Sequence, residues 1–198
     1  MTADLLLASQ NPGKLAEMKQ LLRDLPLRVL SPTELGILEA PEETGSSFME
    51  NAILKALYYA GRSGRVAAAD DSGLSVHALG GGPGLYSSRF AGEGATDEAR
   101  NRLLLERLRG VPPEGRGARF TSAVAVARGN TILFQVQETA EGRIAEEPRG
   151  TNGFGYDPLF CYPPLGKTFG ELSRADKDRV SHRGKAFLRL RGFLASLG

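Results

Sequence analysis

Cysteine is almost missing from this chain: Cys161 is the only one. A lone thiol closes no internal disulfide, so a reducing cytoplasm is the expected setting. Tryptophan is absent, and the two histidines, His77 and His182, lie far apart in the sequence. That spacing argues against a histidine-based zinc site. No apolar run approaches membrane-spanning length, and Leu5-Leu6-Leu7-Ala8 is the size of a buried strand. Asp4 precedes that run, with no basic leader before it and no small-residue cleavage site after it, so a secretory signal is not expected. An excess of one charge is missing too. The 25 Lys and Arg against 23 Asp and Glu leave a formal +2, too little to argue by itself for nucleic-acid binding. The chain has no G-x-S-x-G elbow, no G-x-G-x-x-G after a strand and no Walker A spacing, which removes three common α/β sites.

What remains is ordinary globular material. The 198 residues, 41% of them hydrophobic, suffice for one domain over residues 1–198, or two small lobes sharing a core without an independent linker. Leu5–Ala8 reads as a strand and Asn11-Pro12 as the cap and first position of a helix with Leu15, Met18, Leu21, Leu22 and Leu25 on its apolar side. Leu27–Leu30 follows as a strand and Ser31–Pro41 as a loop. Ser47 and Glu50 have the spacing of a capping box, with a helix expected to stop at Gly61. Val66–Ala69 reads as a buried strand that delivers Asp70-Asp71 at its C-terminal end. A third helix is expected from Thr96 to about Gly110, and two long strands, Ala118–Arg128 and Thr131–Gly142, meet at a Gly129-Asn130 hairpin. Thr151–Asp157 is too rich in glycine for regular structure. A last helix carries Ala186, Phe187, Leu190, Phe193, Leu194 and Leu197 on one side. Hairpin strands together with strand–helix units predict an α/β architecture with a mixed sheet.

Three groups of residues can carry chemistry. Ser9 to Lys14 combines a helix N-terminus with a full positive charge, the makings of a phosphate site, although a well-capped helix with an exposed lysine has the same pattern. Glu42-Glu43 and Asp70-Asp71 supply carboxylates of the kind magnesium shares with a substrate's phosphates. A solvated acidic loop and a turn after a strand are the plainer explanations. Phe154 between Gly153 and Gly155 offers an unobstructed aromatic face for a base, with Asp157, Lys177, His182 and Arg183 as hydrogen-bonding partners. The plainer explanation there is a glycine-rich turn and a polar helix start. Cys161, within Phe160-Cys161-Tyr162-Pro163, reads as a buried thiol and not a nucleophile.

Read in order, seven segments resemble the inosine/xanthosine triphosphate pyrophosphatase family (Ham1-like, RdgB-like): Ala8–Lys14, Glu42–Gly45, Glu50–Ala52, Ala69–Leu74, Gly82–Arg89, Gly153–Pro158 and Ser181–Gly184. The resemblance implies an elongated, two-lobed mixed-sheet fold of the Maf/Ham1 type with a central cleft, normally a homodimer. It implies a magnesium-dependent enzyme that cuts non-standard purine nucleoside triphosphates to monophosphate and pyrophosphate. Such an enzyme has no nucleic-acid or membrane partner. By the same resemblance Asp71 is the catalytic carboxylate, and Glu42 and Asp71 bind magnesium. Ser9, Gln10, Asn11, Pro12, Gly13, Lys14, Ser72, Phe154, Gly155, Tyr156, Asp157, Lys177, His182 and Arg183 bind the nucleotide. Asn51 and Lys55 are expected to assist the phosphates or the metal. A Maf-like pyrophosphatase for other bases and a binding module that has lost catalysis are the rival readings. The Phe154 and Ser181-His182-Arg183 segments argue against the first, and intact Lys14, Glu42 and Asp71 against the second.

Overall fold

The computed structural model describes residues 3–196. Among the described residues, seven strands and five α-helices follow one another as β1 (Ala3–Leu7), α1 (Pro12–Leu22), β2 (Leu27–Leu30), α2 (Phe48–Ser63), β3 (Val66–Val76), α3 (Asp97–Arg107), β4 (Gly117–Arg128), β5 (Thr131–Ile144), β6 (Phe160–Tyr162), β7 (Lys167–Thr168), α4 (Arg174–Val180) and α5 (His182–Ala195). The strands follow the hydrogen-bonded order β2-β1-β3-β4-β5-β6-β7. β1 pairs in parallel with β2 and β3, whereas β6 pairs antiparallel with β5 and β7, so the sheet is mixed as expected.

Two compact units divide the described residues. One comprises those of Met1–Asp71, Ser122–Glu138 and Arg183–Gly198; the other comprises Ser72–Thr121 and Thr139–His182. In the first unit the sheet is covered on both faces. Ala67 and Ala69 of β3, with Ala123, Ala125 and Ala127 of β4, pack against Ala52, Ala56 and Ala60 of α2. Alanine against alanine lets a helix backbone come close to a sheet, which fixes the position of the polar residues α2 carries alongside. On the other face, Ala68, Val124 and Val126 pack with Met18 and Leu22 of α1 and Ala186, Phe187 and Leu190 of α5. The split between Ala67/Ala69 and Ala68 is the period of two of a strand. Leu197, expected on the apolar side of the last helix, lies outside the described residues. The second unit has its own core of Leu74, Val76, Leu104, Leu108, Phe120, Phe160 and Phe169.

Three local expectations are corrected. β3 does not stop at Ala69 but runs for eleven residues, so Asp70 and Asp71 sit within a strand and not at its end. β1 ends at Leu7, opposite Ala68, and β3 continues past it. The aspartates therefore lie beyond the C-terminal end of the neighbouring strand, at the level where the Ser9–Lys14 turn departs. α2 continues past Gly61 to Ser63 and is closed by Gly64 in the left-handed conformation, because an interior glycine only weakens a helix that its packed face sustains. The capping box is half formed. Ser47 accepts the Glu50 N–H, but the Glu50 carboxylate takes the N–H and hydroxyl of Ser46 instead.

Candidate active site

The first unit holds a tight cluster of opposite charges. α1 starts as the sequence predicts, with Asn11 as cap and Pro12 in its first turn. Asn11 Oδ1 accepts the Lys14 N–H at 3.0 Å, and Ser9 Oγ accepts the Asn11 N–H at 3.2 Å. Gln10 is exposed and donates to the Leu38 carbonyl at 2.8 Å. The turn thereby aims the Lys14 side chain at β3, where its Nζ lies 3.1 Å from Asp70 Oδ2. Asp70 is fully buried, and it also accepts from Ser122 Oγ at 2.5 Å and from Arg183 Nη2 at 3.4 Å. Arg183 in turn donates to Glu17 of α1 at 2.6 Å.

On the opposite face of β3, Asp71 Oδ1 accepts from Lys55 Nζ at 2.6 Å, and Glu43 Oε1 accepts from the same ammonium at 2.8 Å. Lys55 comes from α2, whose Asn51 is buried and accepts the Gly45 N–H at 2.8 Å, tying down the segment that carries Glu43. A Cβ on Gly45 would stand 2.6 Å from Asn51 Oδ1, so this anchor requires glycine. Asn51 thus holds a loop. Of the two adjacent glutamates, the structure brings Glu43 to the cluster and leaves Glu42 exposed.

The charges tune one another. Burial raises the Asp70 carboxyl, but Lys14 and Arg183 outweigh it and hold it well below its ordinary 3.8. Burial pushes Asp71 above 3.8 in spite of Lys55 and Lys14. Burial also pulls Lys14 below 10.5, with Asp70 opposing. It would do the same to Lys55, yet Asp71 and Glu43 prevail and its pKa is raised. Adjacent aspartates are therefore driven apart: one is held ionised well below the ordinary carboxylate range, and the other is a carboxylate of raised basicity.

A divalent ion fits this donor set. Two carboxylates already converge on one cation, and oxygen donors are what magnesium takes. Among the described residues no group of three or more His, Cys, Asp or Glu side chains could hold a metal.

The second unit gathers the other predicted residues. Asp157 Oδ2 accepts the Phe154 N–H at 2.8 Å and a hydrogen bond from Lys177 Nζ at 2.5 Å, and both ionised side chains are buried. Lys177 lies 5.3 Å from the centre of the half-buried Phe154 ring, a cation–π distance. A Cβ on Gly153 would fall 2.0 Å from Asp157 Oδ2, and Gly153 has φ of +77°, so both space and backbone demand glycine. Tyr156 is buried and donates its hydroxyl to the Ser87 carbonyl at 2.8 Å, which gives the Gly82–Arg89 segment a scaffolding part. His182 is buried with its ring stacked on Phe120 at 4.5 Å. Ser72 is half-buried on β3.

Arg183 and Lys177, grouped together from the sequence, are thus placed differently: Lys177 joins Phe154 and Asp157, whereas Arg183 joins Glu17 and Asp70. Glu17 and Ser122 join this cluster without being marked by any motif in the sequence. The signal for Glu17 was a carboxylate beside Met18, on the buried side of α1; Ser122 carries no signal beyond lying in an apolar strand.

A model of the Ham1 family matches residues 5–193. The dITP/XTP pyrophosphatase of Yersinia pseudotuberculosis is 50% identical over 186 residues, covering 92% of this chain and 93% of its own. That of Thermus thermophilus is 49% identical, with 91% and 86% covered. The solved structure of a HAM1 protein from Coxiella burnetii superposes with a TM-score of 0.88 at 44% identity, covering 98% of this chain and all of that one. The Ham1 protein of Staphylococcus aureus gives 0.86 at 39%, with the same coverage. With sequence, fold and full-length coverage agreeing, this chain belongs to the Ham1 family.

Proposed function

We propose that this protein hydrolyses non-standard purine nucleoside triphosphates, the inosine, deoxyinosine and xanthosine forms, to monophosphate and pyrophosphate. Removing them keeps these bases out of DNA and RNA. The observation that carries the proposal is the paired use of Asp70 and Asp71: a cation-bound anion on one face of β3 and a carboxylate of raised pKa on the other. The printed activity of the relatives, dITP/XTP pyrophosphatase, supports the substrate class.

Cutting the α–β phosphate bridge takes an aligned water, charge neutralisation and a held leaving group. Asp71 orients the water and accepts its proton, as general base. Lys14, at the start of α1, binds the triphosphate together with the Ser9–Gly13 turn. Asp70 holds Lys14 in place. Magnesium, when bound, neutralises phosphate charge and makes the phosphorus more electrophilic. Asp71 and Glu43 would hold it, with Glu42 as the other carboxylate of that segment. In the second unit Phe154 offers the base a stacking face, and Lys177, Asp157 and His182 supply the polar partners. Ser72, Gly155 and Tyr156 complete the nucleotide-binding set. Hypoxanthine and xanthine carry a 6-keto group and an N1–H where adenine has an amino group and a bare nitrogen. Buried donors left unpaired against adenine cost about 1–3 kcal/mol each. A homodimeric state and a cytoplasmic location belong to the same proposal; the single buried thiol supports the second.

Phosphorus NMR of the reaction with inosine triphosphate tests the cleavage. Pyrophosphate and inosine monophosphate in equal amounts are expected. Orthophosphate with the diphosphate would contradict the proposal.

A further inference from the structure

One side of α3 faces the Gly153–Gly155 turn. Asp97 and Asn101 are four residues apart and so share a side of the helix. Both reach Gly155. Asp97 Oδ2 accepts the Gly155 N–H at 2.6 Å, and Asn101 Nδ2 donates to the Gly155 carbonyl at 3.0 Å. The peptides on both sides of the Gly155 Cα are therefore gripped, one by an acceptor and the other by a donor. Arg100 binds the other Asp97 oxygen and donates to the Ser88 carbonyl at 2.9 Å, which fixes the direction of the carboxylate. Asn101 is itself buried, and its Oδ1 meets no hydrogen-bond partner among the described residues.

Gly155 follows Phe154 directly. The Phe154 N–H is held by Asp157, and the next N–H by Asp97. With left-handed glycines at 153 and 155, the backbone here has more freedom than any other pair of residues would give it. Those two carboxylates and Asn101 remove that freedom. We infer that Asp97 and Asn101 are positioning residues for Phe154, so that base selectivity is set partly from α3 and not only by groups that touch the base. The inference rests on Phe154 being the stacking face proposed above. Edge hydrogen bonds to a purine need the ring held to a fraction of an ångström, whereas stacking alone tolerates any base. Loosening the clamp therefore harms discrimination more than it harms turnover.

The test compares kcat and KM for inosine and adenosine triphosphates in wild type, Asp97→Ala, Asp97→Asn and Asn101→Ala. Both alanine variants are expected to raise KM for inosine triphosphate and to shrink the inosine-to-adenosine ratio of kcat/KM by about three- to tenfold, the worth of one hydrogen bond. kcat should fall by less than that. Asp97→Asn keeps an acceptor for the Gly155 N–H and should restore most of the ratio. If Asn101→Ala does not fold, Asp97→Ala decides, because Thr96 still caps α3 through the Ala99 N–H. An unchanged ratio in a folded alanine variant, or an equal loss of kcat on both substrates, overturns the inference. A wild type that treats both triphosphates alike overturns the base selectivity proposed above, and this inference with it.

Discussion

Asp70 and Asp71 are neighbours in the chain and turn to opposite faces of β3: Asp70 pairs with Lys14 of α1, and Asp71 with Lys55 of α2. The period of two in a strand makes this separation unavoidable. It gives two identical side chains different tasks, and each task can be measured.

Asp71→Asn removes the base and leaves the shape. Turnover of inosine triphosphate should fall by about 10²–10⁴-fold, the usual worth of general base catalysis, with substrate affinity largely kept. Near-normal kcat would take Asp71 out of that role.

The raised pKa of Asp71 has a kinetic signature. A base must be unprotonated to act, so the acid limb of the kcat/KM profile should lie above the ordinary carboxylate value of 3.8. Lys55 opposes the rise, and Lys55→Gln should move the limb to still higher pH. A limb that stays in place would mean that another group titrates.

Asp70→Asn acts on stability. It leaves Lys14 and Arg183 buried without their shared anion, and breaking such a buried pairing costs about 3–5 kcal/mol. Its pKa is depressed in the fold, so its contribution is complete above 3.8 and is lost as pH falls below that value towards the folded one. Urea midpoints measured downward from about pH 6 should drop less steeply in Asp70→Asn than in wild type. Parallel curves would contradict this.

Much of the fold was legible because its signals are local. Asn11-Pro12 announces the start of α1, Ser47 that of α2, and Gly129-Asn130 the hairpin of β4 and β5. The end of β3 was not legible: Asp70-Asp71-Ser72-Gly73 has the composition of a turn, and only the cations brought by α1, α2 and α5 make two aspartates affordable within a buried strand. The same holds for the site. Lys14, Asp71 and Phe154 stand out in their own segments. Glu17 and the grip of Asp97 on Gly155 depend on partners 166 and 58 residues away, which no local pattern reports.

Glu43 and Glu42 separate the metal site from its flank. Glu43→Gln should raise the magnesium concentration needed for half-maximal rate by about tenfold, as loss of a metal-supporting carboxylate commonly does, and Glu42→Gln should change it little. The reverse order, read from magnesium titrations of the two variants, would place the exposed glutamate at the metal.

The most direct test of the proposed activity is kcat/KM for inosine, xanthosine and the four standard triphosphates, with and without magnesium. Turnover should require magnesium and favour the inosine and xanthosine forms over adenosine triphosphate. Equal use of adenosine triphosphate, or full activity without magnesium, would contradict it.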